Sequence, residues 1–401
     1  MSTLKVNAIR GTGASSDAIS VNSTDGTCTA KITNPPLGNR NLIINGACAI
    51  AQRSTAPVTD DAYRTVDRFS LGYGGIDEHP TQARHALTSS DTGPWEKGFR
   101  YSFHVTNGNQ TSGAGAGDFM EIYQYIEDQN ISQSGWDYTS SSSYLTISFW
   151  VKSSVAQKFY GFLYTNQAAA GDCKMYSFEI SNGGSNLTAD TWTKITHTIP
   201  GDSSLTFNYD NTNGLAVGIF PFEGTTYTTS GHSLNTWAAW SSSNKVPDMT
   251  STWWTTNDAT FEITGLQLEV GDYPSSFEFR SYNDELARCQ RYFQQIGATG
   301  QDGTYTVHAA YLYDNGNKMA TGYTPPVPFR ATPTMTHGSQ GLQCRSSSTT
   351  SDISSYNFIE VVAPSTYISI ASTLSSDAGS DGDLAVWTCP TNGLVQMSAE
   401  L

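Results

Sequence analysis

The chain has 401 residues, of which 14% are charged and 12% are aromatic, and its formal net charge at pH 7 is −15. Only 21 residues are Lys or Arg, and because affinity for nucleic acid rests on neutralising phosphates, this balance argues against a nucleic-acid-binding protein. The length exceeds the size at which one hydrophobic core stops growing, so we expect two or three domains.

No run of about 18 apolar residues occurs, and the chain does not start with a basic-then-apolar signal, so we expect neither a membrane span nor secretory export. The six cysteines, at positions 28, 48, 173, 289, 344 and 389, are too widely spaced for a CxxC metal motif or a dense disulfide framework. We therefore expect free, mostly buried thiols in a protein made in a reducing cytoplasm.

Residues 1–40 predict an N-terminal segment of short β-strands that ends at the consecutive prolines Pro35 and Pro36. Apolar side chains recur at every second position from Leu4 through Val6 to Ala8, which is the period of a strand. So small a segment cannot fold alone and must pair with copies of the chain or with a docking partner. Leu4 and Val6 are therefore candidate oligomerisation residues.

Residues 41–280 predict a β-sandwich of the jelly-roll type, because strand patterns separated by turn signals fill this range. In residues 144–152, Leu145 and Val151 fall on one face and Trp150 on the other, the signature of a strand covered more on one side. The main strand patterns cover residues 41–45, 100–106, 119–126, 144–152, 158–164, 191–199, 215–222 and 260–270.

Residues 281–297 predict one helix, with a capping-box-like start at Ser281 and Asp284. A heptad seam of two heptads follows, formed by Tyr282, Leu286, Cys289, Phe293 and Ile296. This seam either packs on the protein's own sandwich or meets its copies on a symmetry axis, and in the second case its members are oligomerisation residues.

Residues 298–401 return to strand patterns and predict a second, smaller β-sandwich. A proline-rich bend at residues 325–333 fixes the chain before one of these strands. The expected fold class is therefore all-β: a short N-terminal β-segment, a jelly-roll sandwich, one helix and a smaller C-terminal β-sandwich.

Several stretches resemble bacteriophage tail fibres and related virion structural proteins of the type common in cyanophages. The N-terminal resemblance lies in STLKVNAIR (residues 2–10) and TCTAKI (27–32). The start of the jelly-roll module is similar in NLIING (41–46), AQR (51–53) and VDRF (66–69), and its end in GLQLEVG (265–271), FEFR (277–280) and RCQRYF (288–293).

The resemblance implies a virion protein of the phage tail, made in the host cytoplasm, that acts as a tail fibre or tail-associated adhesin. Its expected partners are copies of itself, as a trimer, other tail proteins joined through the N-terminus, and a glycan of the host surface. Nucleic acid, membrane, cofactor and catalytic centre are not expected.

The jelly-roll module is also similar to carbohydrate-binding modules that open with an Asn-Gly turn and close with a strand carrying an acidic residue. Asn45, Gly46 and Glu269 stand at the corresponding places. In those modules this region often holds a structural Ca²⁺, but position 47 is Ala rather than an acidic residue. No metal site is therefore assigned.

Catalytic motifs are weak. Paired carboxylates at Asp77 and Glu78, at residues 127 and 128, and at Asp381 and Asp383 are adjacent or nearly so. Adjacent residues on a strand point to opposite faces and do not form the acid and nucleophile of a glycosidase. The seven histidines show no HxH or HxxxH spacing for zinc. We expect a protein without enzymatic activity.

Aromatic residues give the candidate binding signal, because sugar rings stack on the faces of Trp and Tyr. A segment rich in Ser, Thr and Asn carries the candidate glycan-binding residues Tyr227, Trp237, Trp240, Trp253 and Trp254. Packing inside the sandwich or at a subunit interface explains the same cluster.

Three functions compete. The leading hypothesis is a fibre or adhesin that binds a host glycan through many weak sites multiplied by oligomerisation. The others are an architectural tail adaptor or decoration protein without a ligand, and a glycan depolymerase.

Overall fold

The computed structural model describes residues 8–10, 12, 19–21, 24, 28–30, 40–166, 172–297, 305–337, 341–347, 349–360, 368–391 and 393–401. Antiparallel β-sheets dominate these residues, which confirms the all-β prediction. Within the same ranges, no helix is both long enough and apolar enough to span a membrane.

The N-terminal segment contains three short antiparallel strands in the order of the chain: β1 (Ala8–Ile9), β2 (Ile19–Val21) and β3 (Cys28–Ala30). Ile19 pairs with Ile9 on one side and with Ala30 on the other. Strand structure is thus present where it was predicted. Leu4 and Val6 lie outside the described residues, and their role in oligomerisation stays a prediction.

Two packed sheets form the predicted sandwich. The six-stranded sheet has the order β13-β10-β9-β12-β7-β4, and the five-stranded sheet has the order β11-β8-β14-β6-β5. The strands are β4 (Ser70–Gly74), β5 (Thr81–Ala86), β6 (Tyr101–Thr106), β7 (Phe119–Glu127), β8 (Tyr144–Ser153), β9 (Phe159–Thr165), β10 (Lys174–Ile180), β11 (Thr193–Pro200), β12 (Asn213–Glu223), β13 (Trp237–Ala239) and β14 (Thr260–Val270).

Residues 41–46 form an irregular segment rather than the strand predicted over residues 41–45. The Asn41 side chain explains the difference, because its oxygen accepts hydrogen bonds from the backbone N–H groups of Ile43 and Leu268. The side chain therefore takes the place of a ladder partner and docks the segment onto β14. Gly46 is needed there, because a Cβ would lie 2.0 Å from the carbonyl oxygen of Leu266.

Three α-helices occur in the described ranges: α1 (Asp128–Ser132), α2 (Thr252–Thr255) and α3 (Tyr282–Gln290). The N-cap of α3 is as predicted, since the Ser281 side chain accepts a hydrogen bond from the backbone N–H of Asp284. The predicted length is wrong: α3 ends at Gln290, and the chain continues as strand β15 (Phe293–Gly297). Pairing of β15 with residues 394–398 overrides the local helical pattern.

The heptad seam is therefore not a continuous helical face. Cys289, Phe293 and Ile296 are buried within the chain itself, and Cys289 packs in a cluster with Ile44 and Ile50. These three residues are not available to copies of the chain, which corrects the symmetry-axis alternative. Of the other two, Leu286 packs partly buried against that cluster and Tyr282 is exposed.

The C-terminal part is all-β, as expected, but its main sheet closes into a barrel instead of opening into a second sandwich. Strand β16 pairs with both β17 and β22, which leaves no free edge in the order β16-β17-β21-β20-β19-β22. The strands are β16 (Tyr305–Tyr313), β17 (Lys318–Tyr323), β18 (Thr334–His337), β19 (Gln343–Arg345), β20 (Thr350–Glu360), β21 (Ile368–Leu374), β22 (Leu384–Cys389) and β23 (Leu394–Ser398). A three-stranded sheet, β15-β23-β18, lies beside the barrel.

Candidate ligand-binding site

The outer face of the five-stranded sheet carries the site, and strand β8 shows how the sequence places it there. Leu145, Ile147, Phe149 and Val151 are fully buried in the core between the sheets. The intervening side chains, Trp150 among them, point away from that core because successive residues of a strand alternate between faces. This alternation is the one that the sequence predicted.

An open cleft lies over this face, and we call it the aromatic cleft. Its volume is about 550 Å³, which is within the range of small-ligand sites. Residues 97–99 form one wall, residues 274–279 form another, and the sheet forms the floor. The lining residues are Lys97, Phe99, Trp150, Lys194, Pro274, Ser275, Ser276, Phe277 and Phe279.

Three phenylalanines, one from residues 97–99 and two from residues 274–279, form the apolar lining of the aromatic cleft. Phe99 is buried, and its ring lies 4.8 Å from Phe277 and 5.1 Å from Phe279, measured between ring centroids. Phe279 is 52% exposed. An exposed ring that is held by two other rings is a preorganised apolar surface, because little side-chain entropy remains to be lost when a ligand binds.

Trp150 and Lys194 form the floor. A Cβ on Gly93 would lie 2.8 Å from the Trp150 ring, so the loop over residues 88–98 holds the indole by close backbone contact. The Lys194 ammonium donates a hydrogen bond to Ser148 Oγ over 3.2 Å and lies 5.9 Å from the centroid of the Trp150 ring. Although the side chain as a whole stays exposed, its neighbours desolvate the ammonium and lower the pKa of Lys194 to about 8, against a weaker opposing effect of Glu269.

A second group of polar residues shares this face of the sheet. The Glu262 carboxylate lies 3.0 Å from His85 Nδ1, 3.3 Å from His104 Nδ1 and 2.9 Å from the Lys152 ammonium, and Ser102 also donates to it over 2.6 Å. Burial acts to raise the pKa of Glu262, but the hydrogen bonds from His104 and His85 outweigh it and hold that pKa well below its usual range.

The two histidines and Glu262 have the ligand chemistry and the close spacing of a divalent-metal site. However, the Lys152 ammonium already neutralises the negative charge of Glu262. It forms ion pairs with Glu262 at 2.9 Å and with Asp91 at 3.1 Å. A divalent ion on the Glu262 carboxylate would lie close to this fixed positive charge. The protein's own cation therefore occupies the role that a metal would fill.

The Asn45 and Glu269 positions that resemble a calcium region are each engaged separately. The Asn45 amide nitrogen donates to the carbonyl oxygens of Ile50 and Asp67. The Glu269 carboxylate accepts hydrogen bonds from Ser275 and Gln267. Glu269 thus supports the segment that lines the aromatic cleft, whereas Asn45 holds the chain between residues 45 and 67.

The structure corrects part of the predicted glycan-binding cluster. Trp253 and Trp254 are fully buried in the sandwich core, where the Trp254 ring stacks on Phe222 at 4.9 Å. Neither side chain can contact a ligand at the surface. The Thr residues around them lie on the exposed side of the short helix α2, and the two indoles lie on its buried side.

The other three predicted residues lie nearer the surface. The Trp237 ring is half-buried, and its indole N–H donates to the carbonyl oxygen of Pro200 over 2.7 Å. Tyr227 is also half-buried and lies over the Lys245 ammonium at 4.6 Å. Trp240 is 38% exposed and packs against Tyr164. These residues do not line the aromatic cleft.

The carboxylates that were considered for catalysis serve hydrogen bonds in the fold. Glu127 is fully buried and accepts hydrogen bonds from Arg291 and Tyr292. The adjacent Asp128 accepts from the backbone N–H groups of residues 208 and 209. Asp77 accepts from the backbone N–H of Ser112 in an exposed loop.

Sequence reasoning missed the residues of the aromatic cleft, among them Trp150, Lys194, Phe277 and Phe279. A signal was present, since Phe277 and Phe279 alternate around Glu278 and Trp150 falls on the side of β8 opposite the core. The contact of strands β8 and β11 with the segment over residues 274–279 could not be seen in the local sequence.

Several solved structures are similar to parts of the chain at low identity. The enzymatically active domain of tailspike protein 4 from bacteriophage CBA120 is 10% identical, with a TM-score of 0.29, over 57% of this chain and 21% of that chain. The arabinose-bound α-L-arabinofuranosidase MgGH51 is 11% identical, with a TM-score of 0.29, over 63% of this chain and 30% of that chain. The family 11 carbohydrate-binding module from Clostridium thermocellum is 12% identical, with a TM-score of 0.23, over 54% of this chain and 96% of that chain.

The chain thus spans about a fifth of the tailspike structure and about a third of the arabinofuranosidase. Similarity at these TM-scores does not establish a common function. No protein-family model matches the sequence, and no curated protein matches it.

Proposed function

We propose that this protein is a carbohydrate-binding protein without enzymatic activity and that the aromatic cleft holds the sugar. The geometry of the cleft carries the proposal: an indole on the floor, an exposed phenyl ring on the wall, and the Ser276 hydroxyl and Lys194 ammonium as polar groups of the lining, around a volume of about 550 Å³. Sugar rings present C–H faces that pack on aromatic rings and hydroxyl groups that need polar partners.

The test is to measure binding on a glycan array and then the dissociation constant of the best glycan. We expect Trp150→Ala to weaken binding about tenfold, because a stacking face is lost. Trp240→Ala is the matched control, since Trp240 is a partly exposed tryptophan that directly follows β13 of the other sheet. Equal loss in both variants, or loss only in Trp240→Ala, would reject the aromatic cleft as the site.

We further propose that the carbohydrate lies on the host surface and that the protein is a tail fibre or tail-associated adhesin of a phage. The resemblance of residues 2–10, 41–46 and 265–271 to such proteins supports this role. Antibody labelling of purified virions in the electron microscope tests it. Label at the tail is the expected result, and virions that lack the protein would contradict it.

A further inference from the structure

The charge of the aromatic cleft differs from that of the molecule. The formal net charge of the chain is −15, yet none of the described residues lining the cleft is acidic, and two of them, Lys97 and Lys194, are cationic. In the described ranges neither lysine forms an ion pair with an acidic side chain, whereas Lys152 on the same sheet face forms two. Positive charge that the fold leaves without a partner at a ligand cleft is available to an anionic ligand.

The position of Lys194 strengthens this point. Its ammonium is held by Ser148 on one side and faces the ring of Trp150, so a group bound to it would lie beside the surface on which a sugar ring packs. Its partial desolvation, which lowers the pKa of Lys194 to about 8, is unfavourable for the charged form in the free protein. An anion bound next to the ammonium would favour the charged form and so raise the pKa of Lys194.

Glu269 does not neutralise the lysine by direct contact. The carboxylate is fully buried and accepts hydrogen bonds from Ser275 and from Gln267. Its acceptor positions are thus used within the fold, beneath the segment that lines the cleft. A ligand in the cleft meets the ammonium groups and not this carboxylate.

We propose that the ligand of the aromatic cleft is an anionic sugar, whose carboxylate or sulfate group binds Lys194 while its ring packs on Trp150. The inference rests on the proposed function, since it names the class of carbohydrate that the same cleft binds. Lys97 stands at the edge of the cleft and would contribute by attraction at longer range.

The first experiment compares sugars that differ only in charge. Calorimetry with the full chain would use tetragalacturonate and its methyl ester, and an oligosaccharide of sulfated galactan and its desulfated form. Binding of either acid at least about tenfold more tightly than its uncharged match is the expected result. Whichever of the two charged oligosaccharides binds more tightly than its uncharged form shows whether the cleft prefers a carboxylate or a sulfate group.

Equal affinity for charged and uncharged members would overturn this inference and leave the carbohydrate function standing. If a glycan array with neutral and acidic glycans gave no binding at all, the proposed function itself would fail, and the inference with it. The two failures are therefore distinguishable.

The second experiment uses Lys194→Gln, which keeps a polar side chain, one atom shorter than that of lysine, while removing its charge. We expect it to weaken binding of the acid about tenfold and to leave binding of the methyl ester unchanged. Lys174→Gln is the matched control, because Lys174 lies on β10 of the other sheet. Equal effects on acid and ester would contradict the proposal.

A proton signature separates direct contact from a structural effect. At pH 8 to 9 an anion beside Lys194 raises its pKa, so binding takes up part of a proton, and the heat measured in two buffers of different ionisation enthalpy must differ. The methyl ester and the Lys194→Gln variant should show no such difference. Uptake that persists in Lys194→Gln would assign the proton to another group and overturn the assignment of Lys194.

Discussion

Arg68 is one of the largest fully buried side chains, and three groups contact its guanidinium. The guanidinium lies 3.5 Å above the ring of Tyr292, forms an ion pair with Glu400 and donates to the carbonyl oxygen of Tyr125 over 2.6 Å. These partners hold the buried charge of Arg68 in place. If Arg68 were lost, the same partners would be left buried and unpaired. The contribution of the buried ion pair to folding is therefore best measured by replacing one of its two members.

We predict that Arg68→Met lowers the free energy of unfolding by about 3–5 kcal/mol, because Glu400 then stays buried without its main partner. Denaturant unfolding of the full chain measures this. The control is Arg64→Met, since Arg64 forms an exposed pair with Asp60 and its loss should change stability by less than about 1 kcal/mol. Similar small effects of both variants would contradict the importance of the buried pair.

A second buried charge group contains one lysine between two glutamates. The Lys245 ammonium contacts Glu121 and Glu223, and all three residues are buried on the outer side of the six-stranded sheet. Burial, reinforced by Glu121, raises the pKa of Glu223 well above its usual range. The folded protein therefore keeps a proton that the unfolded chain releases above about pH 4.5.

Because the folded state binds more protons, this group makes the stability of the protein fall as pH rises above about 4.5. We predict that Glu223→Gln removes the effect, so that the stability of the variant relative to the wild type increases between pH 6 and pH 9 by up to about 1.4 kcal/mol per pH unit. Thermal unfolding across this pH range measures it. Glu179→Gln, at the surface pair with Lys158, should keep the wild-type slope, and an unchanged slope in Glu223→Gln would refute the prediction.

At the scale of single elements, strand β14 shows how an irregularity shapes the site. Its pairing with β8 shifts register between Thr264 and Gln267, and Gly265 within the bulge has a φ of +65°. A Cβ there would lie 2.6 Å from the ring of Phe99. The bulge thus brings the backbone against the ring that forms the back of the aromatic cleft.

We predict that Gly265→Ala destabilises the protein by about 1–3 kcal/mol, since the new methyl group needs both a left-handed backbone and a displaced Phe99. Sugar affinity should fall as well, because Phe99 holds Phe277 and Phe279. Denaturant unfolding and calorimetry measure the two effects. Gly117→Ala is the control, because nothing lies within 4 Å of the place that its new methyl group would take; equal affinity in the Gly265 variant and the wild type would disprove the link.

At the scale of the whole molecule, the sandwich and the C-terminal unit share a polar contact. Glu400 reaches Arg53 over 3.1 Å as well as Arg68, Arg330 donates to the carbonyl oxygen of Asn211 over 2.6 Å, and the Tyr63 hydroxyl donates to the carbonyl oxygen of Leu401 over 3.2 Å. Residues from the end of the chain thus complete a network that starts in the sandwich. We expect the two units to be coupled in unfolding.

Assembly also belongs to this scale. Since Cys289, Phe293 and Ile296 are buried within one chain, the N-terminal residues around Leu4 and Val6 remain the predicted oligomerisation element. We predict a trimer by light scattering and a monomer after removal of residues 1–36. A trimer that survives the truncation would place assembly elsewhere, and a monomeric full chain would refute self-trimerisation.

The local sequence was sufficient to predict strands whose period is clear. The bounds of β14 agree with the prediction, and the faces of β8 are those that its alternation indicated. The cap of α3 at Ser281 was also readable, because a capping side chain and its partner lie three residues apart. Period and capping depend on neighbours in sequence, so the sequence by itself determined them.

Only the tertiary structure decided which distant segments meet. It turned residues 293–297 from helix to strand by pairing them with residues 394–398, buried Trp253 and Trp254, and closed the C-terminal sheet into a barrel. The aromatic cleft depends on the same kind of contact, because Trp150, Lys194 and Phe279 come from separate parts of the chain. Strand pairing and side-chain packing select among many partners that fit the same local pattern, so no local pattern could decide these contacts.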